Sequence, residues 1–253
     1  MIFMLAGTSD ARNLALALQS AGYAVTATVV TDSAATSLAQ VGLPHLVGRL
    51  TAEEMAALIT ERGDRLVVDA SHPFAEEASK NAMAAAKSAG VPYIRYERAN
   101  EHYEHPLITV VKDYEEAAQL AATKRGVIML TTGSKTLATF TKVLQGLEHT
   151  RVIPRMLPRL DNMEKCEALG VAQRDIVAIQ GPFSKELNEA LFRQYDVTLM
   201  ITKESGKVGS VDEKLEAALA CGIETILIAR PNIQYGQQYS SFEDVLQAVQ
   251  NIL

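Results

Sequence analysis

Tryptophan is absent, and aromatic residues make up only 6% of the 253 positions. Stacking platforms of the kind that hold single-stranded nucleic acid therefore have little to be built from. Cysteine is almost absent too. Cys166 and Cys221 are far apart and share no CxxC spacing, which argues against a disulfide framework and against a thiolate zinc site. No apolar run reaches the roughly 18–20 residues that a membrane-spanning helix needs. The apolar start, Met1-Ile2-Phe3-Met4-Leu5-Ala6-Gly7, has no basic residue ahead of it and is broken at once by Thr8, Ser9 and Asp10. It reads as a buried first strand rather than a targeting segment, so a cytoplasmic, membrane-free protein is expected. Excess positive charge is missing as well: the formal net charge is −6, which leaves no global field for nucleic acid. A local cluster of Arg and Lys can still hold carboxylates inside an acidic chain.

What the chain does have is a recurring unit: a short apolar run, a polar turn, then a helical stripe. Strand-like runs occur at Ile2–Ala6, Ala24–Val30, Leu66–Asp69, Leu107–Val111, Val127–Leu130, Ile176–Ile179, Val197–Ile201 and Thr225–Ala229. Continuous runs of this kind fit parallel strands buried on both faces. Between them, Leu14, Ala17, Leu18 and Ala21 form one helical stripe, stopped by Gly22. Thr51 and Glu54 have the spacing of a capping box. Pro73 is placed as a first helical residue, with Phe74, Ala78, Ala82, Ala85 and Ala89 on one face before Gly90. Further helices are expected after Ser184 and after Asp212. Alternation of this type predicts an α/β fold with parallel sheets and right-handed crossovers. The polar stretch 97–106 is the natural boundary. It divides the chain into an N-terminal Rossmann-like domain, 1–97, and a C-terminal one, 98–253, with a ligand cleft between them.

In open α/β sheets, ligands sit beyond the carboxyl ends of the strands. The turns that follow the apolar runs are Gly7-Thr8-Ser9-Asp10-Ala11-Arg12, Ser71-His72-Pro73-Phe74, Thr131-Thr132-Gly133-Ser134-Lys135, Gln180-Gly181-Pro182-Phe183-Ser184 and Thr202-Lys203-Glu204-Ser205-Gly206. Each is rich in Gly, Ser, Thr or charge. Taken singly, each reads as an ordinary helix cap. Together, on the functional edge, they suit phosphate or carboxylate binding at helix N-termini.

Standard fingerprints fail. There is no GxGxxG, and the Gly133-Ser134-Lys135-Thr136 end of one turn lacks the upstream glycine of a phosphate loop. His102 and His105, flanked by Glu101 and Glu104, match no closed ligand set and read as a solvated linker; no protein-bound metal is expected. His72 stands apart at a strand-to-helix turn, either as a cap or as a donor to a substrate carboxylate. Arg12, Arg95, Arg155, Arg159 and Lys203 lie near strand ends or in Pro-rich turns. As a set they could clamp a polycarboxylate, because guanidinium groups fork carboxylates. Residue-level reading stops at a two-domain α/β protein that binds a phosphorylated cofactor.

These same residues resemble a known family, the precorrin-6A reductases and their cobalt-precorrin-6A counterparts. Leu5-Ala6-Gly7-Thr8-Ser9-Asp10-Ala11-Arg12 is similar to the family's Gly-Gly-Thr-x-Glu-x-Arg start, with Ala6 and Asp10 as departures. Asp69-Ala70-Ser71-His72-Pro73-Phe74-Ala75, Leu130-Thr131-Thr132-Gly133-Ser134 and Arg155-Met156-Leu157-Pro158 fit in order. So do Gln180-Gly181-Pro182-Phe183-Ser184, Glu186-Leu187-Asn188, Thr202-Lys203-Glu204-Ser205-Gly206 and Glu213-Lys214-Leu215. Ser210 stands where a second glycine after Gly209 is expected.

The resemblance implies an oxidoreductase of cobalamin biosynthesis. It would transfer a hydride from NADPH or NADH, without flavin or protein-bound metal, to the C18–C19 double bond of a ring-contracted, polycarboxylated tetrapyrrole, with or without cobalt. Neighbouring corrin-pathway enzymes would be its partners. The expected cofactor residues are Thr132, Gly133, Ser134, Arg155, Gly181, Pro182, Phe183, Ser184, Ser205 and Gly206. Gly7, Thr8, Ser9, Arg12, Ser71, His72, Pro73, Phe74 and Arg95 are expected to hold the substrate. His72 and Lys203 are the candidate catalytic groups. The alternative is a non-catalytic nucleotide-binding or corrinoid-carrying module. A short-chain-type dehydrogenase is disfavoured, because no Tyr is followed by Lys at Tyr-x-x-x-Lys spacing.

Overall fold

The computed structural model describes residues 1–99, 103–204 and 212–253. The chain forms two units: Met1–Ala99 together with Pro231–Leu253, and Asn100–Arg230. The first unit runs β1 (Ile2–Leu5), α1 (Ser9–Ser20), β2 (Val25–Val29), α2 (Asp32–Ala39), β3 (His45–Val47), α3 (Ala52–Arg62), β4 (Leu66–Asp69), α4 (Glu76–Ala89) and β5 (Tyr93–Tyr96). The second runs β6 (Ile108–Val111), α5 (Tyr114–Lys124), β7 (Gly126–Leu130), α6 (Leu137–Leu144), β8 (Thr150–Met156), α7 (Leu160–Ala168), β9 (Val177–Ala178), α8 (Lys185–Gln194), β10 (Leu199–Lys203), α9 (Glu213–Ala220) and β11 (Glu224–Ile228). The chain then returns to the first unit as β12 (Gln238–Tyr239) and α10 (Phe242–Ile252).

Among the described residues there are two six-stranded sheets, ordered β12-β5-β4-β1-β2-β3 and β6-β11-β10-β7-β8-β9. Every strand pair in them is parallel. The two orders are the same, read from the central strand outwards. In the first unit β1, β2 and β3 step one way and β4 and β5 the other; in the second, β7, β8 and β9 step one way and β10 and β11 the other. The outermost place is filled from a terminus of the chain or unit, by β12 in the first sheet and by β6 in the second.

Burial explains why these runs are strands and not helices. Ile2 and Met4 face one layer, with Leu14 and Leu18 of α1 and Val245 and Val249 of α10. Phe3 and Leu5 face the other, with Met55 and Ile59 of α3 and Ala82, Ala85 and Ala86 of α4. Both side-chain sets of one strand are therefore buried, which removes the polar alternation seen in half-exposed strands. The helix punctuation is local. The Thr51–Glu54 capping box is formed in both directions, and Gly63 and Gly90 close α3 and α4 in the left-handed conformation.

Three expectations change. First, residues 231–253 group with the first unit, not with the C-terminal one. The amphipathic α10 covers a sheet face that would otherwise lie open, Phe242 meets Tyr96 edge-on at 5.2 Å, and β12 pairs with β5. Second, α4 begins at Glu76 rather than at Pro73; Pro73 and Phe74 form a turn closed by the Ala75 N–H donating to the His72 carbonyl at 2.7 Å. Third, β3, β5, β8 and β12 occur where no strand was expected. β5 carries Arg95 and β8 carries Arg151, Pro154 and Arg155, so neither presents a continuous apolar run. Pro154 is tolerated because β9 pairs with β8 only from Arg155 onward, so the ladder on that side needs no donor from it.

Gly126 opens β7 with φ +88°, and a Cβ there would collide with Thr198 Oγ1. That hydroxyl is held by the Val127 N–H at 3.1 Å and cannot turn away freely. Gly126→Ala is expected to destabilise the protein by roughly 2–4 kcal/mol, combining left-handed strain with overpacking. Urea unfolding checks this, and Thr198→Ala in the same chain should restore only the overpacking part.

Candidate active site

The strand order decides where a ligand can sit. Between β1 and β4, and between β7 and β10, consecutive crossovers run in opposite directions and leave a crevice beyond the carboxyl ends. The ladders end level at both places, Leu5 opposite Asp69 and Leu130 opposite Ile201. The following turns are tied together by Ala70 N–H to Leu5 O (3.0 Å) and by Thr131 N–H to Ile201 O (2.9 Å). Gly7–Ser9 is thereby brought beside Ser71–Phe74 in the first unit, and Thr131–Ser134 beside Lys203 in the second. Ser205 and Gly206 lie outside the described residues.

On the first unit's edge, Thr8 caps α1 by accepting from Ala11 N at 3.1 Å, and Gly7 and Ser9 are exposed. Arg12, half-buried on α1, donates to Ser37 Oγ at 2.6 Å. His72 is exposed, and its Nδ1 accepts from Phe74 N at 3.2 Å. That bond leaves the other ring nitrogen, Nε2, to carry the proton of the neutral imidazole.

Arg95 does not reach this surface. Its side chain is 0% exposed, and it is spent on internal bonds. Nη1 donates to Asp69 Oδ1 (2.9 Å) and Ser71 Oγ (3.2 Å), while Nε and Nη2 donate to Glu97 Oε2 (3.0 and 2.6 Å). Its expected place among the substrate-holding residues is therefore not matched by an exposed guanidinium: each nitrogen donates at least one bond inside the first unit. Burial alone would lower its pKa, but Asp69 and Glu97 outweigh burial and hold it above its ordinary value.

The second unit's edge contrasts with this. Gly133 has φ +83°, with open space around its Cα, so the backbone of the Thr132–Ser134 turn is approachable from outside. Thr136 Oγ1 donates to Thr132 Oγ1 at 3.0 Å and folds the turn into the short helical segment Ser134–Thr136. Arg155, near the end of β8, is 8% exposed. It donates through Nη1 to Asn188 Oδ1 at 2.6 Å and lies 4.4 Å from the centre of the Phe183 ring. Among the described residues it makes no ion pair. Burial lowers it to about 10, partly offset by the charge of Asp212. A buried cation without a bonded carboxylate is the electrostatic complement of an incoming anion. The turn that carries Phe183 also caps α8, where Ser184 Oγ accepts from Leu187 N at 3.3 Å, and the Gly181–Pro182 peptide is cis.

Lys203 ends β10 and is half-buried. Burial pushes its ammonium group down to about 8, and the charges of Lys214 and Lys135 push the same way. Three lysines and Arg155 thus share the strand-end side of one sheet. Lys135, Lys214 and Asn188 were not singled out from sequence, although each lies in or beside a quoted motif. Asn188 could have been found by its spacing, four residues after the helix cap Ser184, to which its Nδ2 donates at 2.7 Å.

A family model described as precorrin-6x reductase CbiJ/CobK matches residues 1–250. The chain belongs to that reductase family. The cobalt-precorrin-6A reductase of Priestia megaterium is 59% identical over 251 residues, covering 99% of this chain and 98% of the relative. The enzyme of the same name from Salmonella typhimurium is 36% identical over 232 residues, 91% of this chain and 87% of the relative. The precorrin-6A reductase of Rhodococcus erythropolis is 28% identical over 236 residues, 91% of this chain and 89% of the relative. A solved CobK precorrin-6A reductase superposes with a TM-score of 0.80 at 25% identity, covering 99% of this chain and 96% of that one. Family membership and fold therefore agree over nearly the whole length.

Lys203 generates a stability prediction. Its folded pKa of about 8 lies below the ordinary 10.5, so between these values the unfolded chain binds more protons and stability rises with pH. Below about pH 8 the cost of burying the charge is fully present. Lys203→Met should therefore melt at a higher temperature than the parent at pH 7. The gap should narrow as pH rises from about 8 to 10.5. A pH series of thermal melts reads this directly, and a constant gap across that range would remove Lys203 as its source.

Proposed function

We propose that this chain is a cobalt-precorrin-6A reductase of the cobalamin pathway, using NADPH. The observation that carries the cobalt assignment is the full-length identity of 59% to a cobalt-precorrin-6A reductase, against 28% to a relative named precorrin-6A reductase. The reaction adds a hydride to one carbon and a proton to its neighbour across the C18–C19 double bond of the macrocycle.

The cofactor reading rests on topology, which both sheets share, together with the buried Arg155 that distinguishes the second. β7, β8 and β9 stand in the order of the first three strands of a dinucleotide-binding sheet. The turn after the first strand takes the pyrophosphate, and the end of the second strand, about twenty residues further on, reads the ribose. In this chain the first place is Thr132-Gly133-Ser134 and the second is Arg155. An acid at the second place would favour NADH, whereas an arginine there suits the 2′-phosphate of NADPH. Phe183 packs against Arg155, Ser184 holds its partner Asn188, and Gly181 and Pro182, with Ser205 and Gly206, are assigned to the same cofactor on the resemblance alone. When bound, the reduced nicotinamide supplies the hydride.

The protein's own residues orient and neutralise. Gly7, Thr8, Ser9, Arg12, Ser71, His72, Pro73 and Phe74 are assigned to the carboxylate arms of the macrocycle, through backbone N–H groups and side-chain donors. Lys203 provides positive charge at the switch point of the second sheet, where it stabilises an electron-rich transition state. His72, exposed at this edge, is assigned as proton donor in its imidazolium form, the ring returning to the neutral state when the proton passes to the macrocycle carbon. Orientation of donor and acceptor carbons supplies most of the barrier reduction, of order 7–11 kcal/mol in favourable cases.

Anaerobic mixing with cobalt-precorrin-6A and with precorrin-6A, following NADPH and NADH oxidation together with the tetrapyrrole spectrum, tests the whole reading. Stoichiometric oxidation fastest with the cobalt form and NADPH is expected. Binding without oxidation would leave a carrier instead. Arg155→Ala should lower kcat/KM for NADPH by about tenfold to a hundredfold, the worth of a charge-assisted hydrogen bond, with NADH little affected. An unchanged NADPH/NADH ratio would take the 2′-phosphate away from Arg155. His72→Ala should lower kcat while tetrapyrrole binding persists; full turnover would exclude it as the donor.

A further inference from the structure

We infer that the buried ion network around Arg95 is a positioning device for the turn after β4, setting how well the first unit's strand-end edge grips a carboxylate-bearing ligand. This rests on the reading above that Ser71–Phe74 holds substrate.

Stability alone is a weak reason for such a network. Asp69, Arg95 and Glu97 are all buried, two carboxylates around one guanidinium. Ion clusters of this kind are often matched or exceeded in stability by apolar residues of the same volume, because the desolvation cost is high. What apolar residues could not do is fix the backbone and hydroxyl of Ser71. Asp69 Oδ1 accepts from Ser71 N at 2.9 Å and from Arg95 Nη1 at the same distance. Arg95 Nη1 also donates to Ser71 Oγ at 3.2 Å, and that hydroxyl lies 3.4 Å from Ser79 Oγ on α4. Tyr93 OH donates to Asp69 Oδ2 at 2.8 Å and stops the carboxylate from rotating. Burial, then Asp69, raises the Tyr93 pKa, so the phenol stays protonated and keeps its donor role.

The other side of the guanidinium is closed as well. Glu97 takes Nε and Nη2, and the Tyr235 ring lies 4.9 Å from the guanidinium carbon. Tyr235 itself hydrogen-bonds Ser79. Asp69 and Arg95 are level partners in the β4–β5 ladder, so the network is anchored on two adjacent central strands. The result is a turn whose first residue is held from the sheet, from α4 and from the returning segment. Binding groups held this rigidly lose little freedom on engaging a ligand. The network's members are positioning residues; only the turn itself would meet the ligand.

The test compares full-length parent, Arg95→Lys and Tyr93→Phe by hydrogen–deuterium exchange and by steady-state kinetics. Arg95→Lys keeps the charge but cannot span Asp69, Ser71 and Glu97 together. Tyr93→Phe removes one hydroxyl and leaves the ion pairs, so it keeps the test open should Arg95→Lys fail to fold. Faster exchange confined to residues 70–75 is expected in both, with exchange over 126–156 unchanged. KM for the tetrapyrrole should rise by about tenfold in Arg95→Lys and less in Tyr93→Phe, while KM for NADPH stays put. Unchanged exchange at the turn in a folded variant would overturn the inference, and so would a loosened turn with an unaltered tetrapyrrole KM. If the parent does not turn the tetrapyrrole over, the functional reading falls, and the exchange measurement still decides whether the network positions the turn.

Discussion

Burial of both faces of a parallel sheet is the constraint from which the rest follows. A strand such as Ile2–Leu5, with Ile2 and Met4 on one layer and Phe3 and Leu5 on the other, must be covered twice. Parallel neighbours then need crossover helices, and right-handed crossovers place every strand's exit on the same edge. Where the direction of travel reverses, between β1 and β4 and between β7 and β10, the exits separate and leave room for a ligand. Each unit solves this in the same order, and each borrows its outermost strand from a chain segment outside its main run.

The two edges use buried arginine in opposite ways. Arg95 is surrounded by more negative charge than it carries, and its donors are consumed by Asp69, Ser71 and Glu97. Its side chain is fully buried. Arg155 has an amide and an aromatic ring for neighbours, and burial depresses its pKa because no bonded carboxylate offsets it. That arrangement holds a buried cation at an energetic disadvantage. Lys203, flanked by the charges of Lys135 and Lys214, is held at the same kind of disadvantage. The second edge therefore gathers buried positive charge, whereas the first neutralises its guanidinium internally.

Much of this was legible in the sequence, and the failures have local causes. Runs without charge, such as Val127–Leu130 and Thr225–Ala229, were readable as strands because their apolar continuity is itself the consequence of double burial. Tyr93–Tyr96 and Thr150–Met156 were not, because Arg95, Pro154 and Arg155 interrupt the pattern. Those residues are tolerated only through partners distant in sequence: Asp69 for Arg95, Asn188 for Arg155, and the late start of β9 for Pro154. Pro73 misled for the opposite reason. Its dihedral suits a helix start, yet the His72 carbonyl is engaged by Ala75 and the helix waits until Glu76.

By itself the sequence determined the class of fold and the family, because apolar periodicity, caps and ordered motifs are properties of neighbouring residues. It could not determine which arginine is neutralised by buried carboxylates. Arg95 and Arg155 both lie near strand ends, and nothing local distinguishes them. Only the tertiary structure, by bringing two carboxylates to one and none within ion-pair distance of the other among the described residues, gave them different work. It also decided that residues 231–253 complete the first unit, since a helix packs against whichever apolar face remains uncovered, and chain order carries no record of which face that is.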